Sequence, residues 1–138
     1  MSTSSTAKLT LRLLTETFAI HSLSVNSDIP ESVFKAPIYF IGKTYGEVSI
    51  VLPENIEINS EDVEKNWRAL EVIGPLDFTL TGILSNISTS LANAQISIFA
   101  ISTFDTDYIL IKNDNVDNAI AALKADQYRV LRKNVQHS

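Results

Sequence analysis

The feature that most constrains the fold is an apolar segment, residues 96–111, with a short polar stretch near its middle. The polar stretch runs from Ser102 to Asp107 and contains two carboxylates and three hydroxyl side chains. Two apolar runs separated by turn-forming residues are typical of a buried β-hairpin. We therefore expect two strands that hold a polar cluster at their turn, and a cluster in that position suggests ligand binding.

The composition bounds the possible classes of protein. The chain has 138 residues, of which 45% are hydrophobic, and this suffices for one compact domain or two very small ones. It has no cysteine, which excludes disulfides, thiolate nucleophiles and cysteine-ligated metal clusters and fits a reducing cytoplasm. The formal charge of −5 disfavours nucleic acid as a partner, and the basic residues Arg129, Arg132 and Lys133 are expected to be solvated.

The sequence shows no targeting or membrane signal. Residues 1–7 are rich in Ser and Thr and lack a basic region followed by an apolar one, so we expect a disordered tail there and another at 134–138. No window holds the roughly 18 uninterrupted apolar residues that a membrane span needs. We expect a cytoplasmic protein that does not contact a membrane.

Residues 8–65 are predicted to form a first, less regular half. Residues 8–14 and 17–25 alternate apolar with polar side chains and are predicted to pair as a hairpin. The segment from Asn26 to Pro30 contains capping residues followed by a proline, a pattern that begins helices. Because Pro37 follows soon after, we predict only a short helix, over residues 31–35.

A second hairpin and an acidic connector are predicted to follow. Strands at 38–43 and 47–52 flank Gly46, which can adopt the positive φ of a tight turn. The stretch 54–66 is the most polar of the interior, and with a helix start at Ser60 it suits a connection between two halves.

Residues 66–133 predict the order β-α-β-β-α-β. The predicted elements are a strand at 67–73, a helix from Leu80 through Ala94, the hairpin at 96–111, a helix from Asp114 and a strand at 128–131. This is the order of a ferredoxin-like unit, in which one face of an antiparallel sheet carries both helices. Because the other face should also be apolar, we expect it to pack on the first half, on another copy of the chain, or on both.

Several short segments resemble a known family. They are Trp67-Arg68-Ala69-Leu70, Gly74-Pro75-Leu76-Asp77-Phe78, Leu80-Thr81-Gly82-Ile83-Leu84 and the run from Ile96 to Leu110. These segments resemble ACT-domain proteins of a small tandem-ACT group related to the CASTOR-type arginine sensors. The resemblance extends over residues 9–131 and implies an α+β protein of two tandem ferredoxin-like (ACT-type) βαββαβ halves, with antiparallel sheets and the helices on one face.

The resemblance also implies a ligand. It suggests that an amino acid is held at a module or subunit interface, that Thr103, Phe104 and Asp107 contact it, and that Asp107 recognises a cationic group. Where the family often has an aspartate-containing turn, this chain has Lys43-Thr44-Tyr45-Gly46, so no ligand contact is carried over to that turn.

The residues by themselves are consistent with a site for a zwitterion. Gly74 precedes a predicted helix whose first amides, near Asp77 to Thr79, would offer donors to a carboxylate. Two acids in the turn would attract an ammonium or guanidinium group, and neighbouring hydroxyl groups would add neutral acceptors. The predicted ligand-binding residues are Gly74, Leu76, Asp77, Thr79, Ser102, Thr103, Phe104, Asp105 and Asp107.

Structural roles remain open for the same residues. Asp77 could cap the helix, Leu76 could pack in the core, and Asp105 and Asp107 could be ordinary turn residues.

No catalytic constellation is visible. His21 lies on an alternating strand and His137 next to the C-terminus, and neither has a second ligand at metal spacing. Walker, Rossmann and EF-hand spacings are also absent from the sequence. We therefore predict a non-enzymatic amino-acid sensor, homodimeric and without metal or cofactor, which acts on an unknown protein partner. Two alternatives stay open: an interaction module without ligand, and a small enzyme that uses Asp105 and Asp107.

Overall fold

The computed structural model describes residues 9–73 and 82–132. The predicted tails at 1–7 and 134–138 lie outside these ranges. The described elements are β1 (Thr10–Leu13), β2 (Phe18–Leu23), α1 (Glu31–Phe34), β3 (Phe40–Lys43), β4 (Val48–Pro53), β5 (Asp62–Ile73), α2 (Ile83–Asn93), β6 (Phe99–Ser102), β7 (Asp107–Lys112), a 3-10 turn (Asn113–Asn115), α3 (Val116–Ala125) and β8 (Arg129–Leu131). None of the three described helices has the length and apolar character of a membrane span.

The elements form two compact units, and the chain passes from one to the other inside β5. One unit is residues 16–67, and the other contains the described residues before and after it. Just before the boundary, Asn66 has a φ of 73°, a left-handed conformation that asparagine tolerates better than most residues. Its backbone N–H leaves the strand ladder and donates to Glu54 Oε1 at 2.9 Å.

The unit of residues 16–67 is an antiparallel sheet in the order β3-β4-β2-β5. The predicted short helix and the hairpin of β3 and β4 are confirmed. The predicted helix start near Ser60 is wrong, because β2 takes up this segment as a strand: Ser22 pairs with Asp62, and Glu61 N donates to Ser22 O at 2.9 Å. The core of this unit consists of Leu23, Val33, Val48, Ile50 and Leu52.

The other unit confirms the predicted β-α-β-β-α-β order and with it the α+β fold class. Its strands follow the order β6-β7-β5-β1-β8. The two helices are joined where Ser90 Oγ donates a hydrogen bond to the Asp126 carboxylate beyond the end of α3. The helices and one face of the sheet share a core that includes Leu11, Leu13, Leu70, Val72, Ile87, Leu91, Ile109, Ile111, Ile120 and Leu123.

The first strand corrects the predicted N-terminal hairpin. β1 does not pair with β2; it lies between β5, which is antiparallel to it, and β8, which is parallel to it. Leu11 and Leu13 of β1 are buried in the core beneath α2 and α3, and this burial selects the partners of the strand. The compact units group β1 with the residues after Trp67.

The face of this sheet that points away from α2 and α3 combines apolar and polar side chains. Side chains alternate between the two faces of a strand, so Arg12, Glu71, Tyr108 and Leu110 lie on that face. Leu110 is fully buried and its neighbour Tyr108 is half-buried. The uniformly apolar second face expected from the sequence is thus interrupted by a polar group.

The placement of β1 is tested by Leu11→Ala. We expect the free energy of unfolding to fall by about 2–5 kcal/mol, because a fully buried leucine leaves a cavity. Amide hydrogen exchange should accelerate in α2, α3 and β7 more than in β3 and β4.

The matched control is Leu131→Ala in β8, where the side chain is 39% exposed and the change should stay within about 0.5 kcal/mol. Faster exchange confined to β2 and β4 in the Leu11→Ala variant would contradict the observed pairing.

Candidate functional site

The candidate site is built on the turn between β6 and β7. The two strands pair from Phe99 opposite Leu110 to Ser102 opposite Asp107, which confirms the predicted hairpin. Thr103 closes the turn: its N–H donates to Thr106 O at 2.8 Å, and its hydroxyl donates to the same carbonyl at 3.0 Å. The hydroxyl also accepts the Thr106 N–H at 3.2 Å. Thr103, which was predicted to bind the ligand, thus stabilises the turn through its own hydrogen bonds.

Thr106 fixes the position of this turn in its unit. Its hydroxyl donates to Val72 O at 2.5 Å, and Val72 is the next-to-last residue of β5. The turn therefore lies at the end of β5 that leads into residue 74. The sequence gives no signal for this role of Thr106, because one threonine in a polar turn does not indicate its hydrogen-bond partner.

The predicted site residues between 74 and 79 lie outside the described residues. Gly74, Leu76, Asp77 and Thr79 all fall within the undescribed segment 74–81. The structure does correct the predicted start of the following helix.

Helix α2 begins at Ile83, later than predicted. Its N-cap is Gly82, with a φ of 75° that favours glycine, and Gly82 O accepts the Asn86 N–H at 2.8 Å. The first-turn amides of α2 are consequently those of Ile83 to Ser85, not those near Asp77. Asp77 is thus not the N-cap of α2.

The acidic residues of the turn occupy different environments. Asp105 is exposed next to Phe104, whose side chain is 83% exposed at the tip, whereas Asp107 is half-buried as the first residue of β7. Alternation along β7 places Asp107 on the side of Ile109, which faces the helices. Within residues 9–73 and 82–132, no three His, Cys, Asp or Glu side chains are grouped to hold a metal ion.

A polar group next to the turn was missed in the sequence. Tyr108 Oη donates to Glu71 Oε2 at 3.3 Å, and Arg12 is directly opposite Glu71 in the sheet. Burial raises the pKa of Tyr108, and so do the Glu71 carboxylate and the Asp105 charge, while Arg12 acts in the opposite direction. The available signal was a single charge between buried leucines, as at Arg12 in Leu11-Arg12-Leu13.

The unit of residues 16–67 contains a cavity that is separate from the predicted site. It has a volume of about 370 Å³ and is lined by Glu16, Thr17, Pro53, Glu54 and Asn55. None of these residues belongs to the predicted site.

His21 occupies an interior position. It is 5% exposed, and its Nδ1 lies 2.8 Å from Ser60 Oγ. Burial, with a smaller contribution from the Lys65 charge, lowers the pKa of His21 below the ordinary 6.5.

The chain is similar in sequence to known proteins. Residues 62–125 match the ACT domain family. The cytosolic arginine sensor for mTORC1 subunit 1 of Homo sapiens is 34% identical over 91 residues, which are 59% of this chain and 27% of that protein. The protein of the same name from Rattus norvegicus is 30% identical over 114 residues, 76% of this chain and 34% of that protein. The chain therefore spans about a third or less of the length of these relatives.

Solved structures extend the likeness over nearly the whole chain. A crystal structure from Agobacterium tumefaciens superimposes with a TM-score of 0.86 at 26% identity, covering 95% of this chain and 98% of that one. E. coli aspartokinase III, solved in complex with aspartate and ADP, superimposes with a TM-score of 0.63 at 13% identity, covering 90% of this chain and 34% of that one. The second likeness concerns the fold alone.

The anchoring of the turn is tested by Thr106→Val, which keeps the shape and removes the hydroxyl donor to Val72 O. We expect a loss of about 1 kcal/mol in the free energy of unfolding, with faster amide exchange in the turn and in the first residues of β7. Thr89→Val, at an exposed position of α2, is the matched control. Unchanged exchange in the turn of Thr106→Val would contradict the anchoring.

His21 predicts a dependence of stability on pH. Since the unfolded chain binds the histidine proton more readily than the folded one, the contribution of neutral His21 is complete above pH 6.5 and is lost as the pH falls below it. The difference in unfolding free energy between wild type and His21→Gln should therefore shrink from pH 7.5 to 5.5 in urea titrations. A difference that stays constant would show that protonation of His21 does not oppose folding.

Proposed function

We propose, from the match of residues 62–125 to the ACT domain family, that the protein binds a free amino acid and has a regulatory, non-catalytic role. The observation that carries the proposal is the hydrogen bond from Thr106 to Val72 O. It holds the acidic turn beside the end of β5.

The charges of the turn favour a ligand with a cationic group. Asp107 is half-buried, and a partly desolvated carboxylate binds an ammonium or guanidinium more strongly than an exposed one. Exposed Asp105 adds negative charge at the tip. Arginine is the first candidate because the relatives of known name are arginine sensors.

The tip of the turn also suggests how the site is completed. Phe104 is 83% exposed, and a second surface that covered its ring would gain the free energy of burying apolar area. We propose that a second copy of the chain supplies this surface, so that the ligand is held at a subunit interface of a cytoplasmic homodimer. A ligand that binds the closed arrangement better would shift the population toward it, and a separate protein could respond to the shift.

The exposure of Phe104 equally favours a second candidate function. An interaction module without a ligand would present the same apolar tip to a partner protein. The two candidates differ in whether any amino acid stabilises the fold.

The proposal predicts that an amino acid stabilises the wild type and that Asp107→Ala abolishes the effect. In thermal unfolding with each common L-amino acid at millimolar concentration, a ligand at about 100 times its Kd adds about 2.7 kcal/mol, or several degrees in Tm. L-arginine is expected to produce such a rise.

Asp114→Ala is the matched control, because it removes the same charge from an exposed position beyond the other end of β7. It should keep the full rise. A rise that survives in Asp107→Ala would remove this aspartate from the site, and no rise with any amino acid would favour the interaction module.

A further inference from the structure

A segment without helix or strand, residues 54–61, covers part of the core of the unit of residues 16–67 and is here called the strap. It follows β4 and leads into β5. Ile56 and Ile58 of the strap are half-buried and pack against the core of this unit. The residues that alternate with them are exposed: Asn55, Glu57 and Asn59. The strap therefore has an apolar side on the core and a polar side in solvent.

Backbone hydrogen bonds fix the strap at its two ends. Glu54 N donates to Thr17 O at 2.7 Å, and Glu61 N donates to Ser22 O at 2.9 Å. In the part of the chain that the structure describes, no backbone hydrogen bond joins residues 57–60 to another segment. A segment with so few backbone hydrogen bonds opens locally at a smaller cost in free energy than the paired strands beneath it.

A side-chain hydrogen bond also joins the strap to the sheet. Ser60 Oγ lies 2.8 Å from His21 Nδ1, and His21 is 5% exposed. His21 comes two residues before the core residue Leu23 on β2, so its side chain lies on the same face of the sheet as the core. The strap therefore contacts a buried side chain that can gain a charge.

A proton on His21 is unfavourable in this environment. Burial and, to a smaller extent, the Lys65 charge on β5 lower the pKa of His21, and the hydroxyl of Ser60 carries no compensating charge. β4, which pairs with β2, has no ionisable residue, and the Tyr39 ring packs against Phe34. The other charged residues of the segments on this face are exposed or hydrogen-bonded elsewhere: Asp28, Glu31, Lys35, Lys43, Glu54, Glu57 and Glu61.

We propose that the strap is a proton-sensitive closure, which lies on the core while His21 is neutral and opens when His21 binds a proton. Opening lets water reach the imidazolium and uncovers the apolar surface beneath Ile56 and Ile58. Because the open form binds the proton more tightly than the closed form, acid shifts the population toward the open form. The proposal involves no ligand and does not depend on the proposed function.

The test measures the protection of backbone amides against hydrogen exchange at pH 7.5 and pH 5.5, corrected for the intrinsic exchange rates. The reporters are the amides of Ile56 and Glu61, which donate to Pro53 O and Ser22 O. If His21 has its ordinary pKa of 6.5 in the open form, lowering the pH favours opening by up to about tenfold. Protection of both amides should fall by up to this factor, while the amides of β4 keep their protection because the strands stay paired.

Two variants separate the proton from the hydrogen bond. His21→Gln keeps a polar side chain that does not titrate, so the protection of the strap should be the same at both pH values. Ser60→Ala keeps the histidine and removes its hydrogen bond, so the strap should be less protected already at pH 7.5 and should still respond to acid. Asn59→Ala, on the exposed side of the strap, is the matched control and should behave like the wild type.

Unchanged protection of Ile56 and Glu61 between the two pH values would overturn the proposal, and so would a loss of protection that persists in His21→Gln. An equal loss in β4 would show that the whole unit unfolds and would overturn the proposal as well. Wild-type protection of the strap in Ser60→Ala at pH 7.5 would show that the bond to His21 does not hold it closed.

Discussion

Strand β5 is the element on which the rest of the structure depends. Its first part pairs with β2 in one unit, and its second part pairs with β1 in the other. The left-handed Asn66 lies just before the point where the strand changes units. Because β5 pairs with different strands along its length, its burial also changes, from exposed near Asp62 to buried at Leu70 and Val72.

The candidate site depends on the same strand. Val72 O anchors the β6–β7 turn through Thr106, while Glu71 holds Tyr108 from the opposite face. Two successive residues of β5 thus organise the polar groups on both sides of one sheet. In the proposed function, this arrangement lets a rigid strand position the turn that contacts the ligand.

Local pattern predicted most elements and the pairing within two hairpins, but it gave β1 the wrong partner. The hairpins of β3 with β4 and of β6 with β7 follow from apolar runs around turn residues, because a short turn leaves adjacent strands little choice of partner. The start of α2 was predicted too early, since the apolar spacing of the helix extends back to Leu80, whereas the cap depends on the conformation of Gly82. For the site, the sequence indicated the turn acids but not the residues that fix them.

The sequence by itself determined the alternation of β1 and β2, the polar turn of the hairpin and the amphipathic faces of α2 and α3, because these depend on side-chain period alone. Only the tertiary structure decided that β1 lies between β5 and β8, since an alternating strand is compatible with any partner that can cover its apolar face. This strand order places Arg12 opposite Glu71. The hydrogen bond from the Thr106 hydroxyl to Val72 O also depends on how the strands pack. Contacts between residues distant in the chain come from the burial of the shared core, which no local pattern contains.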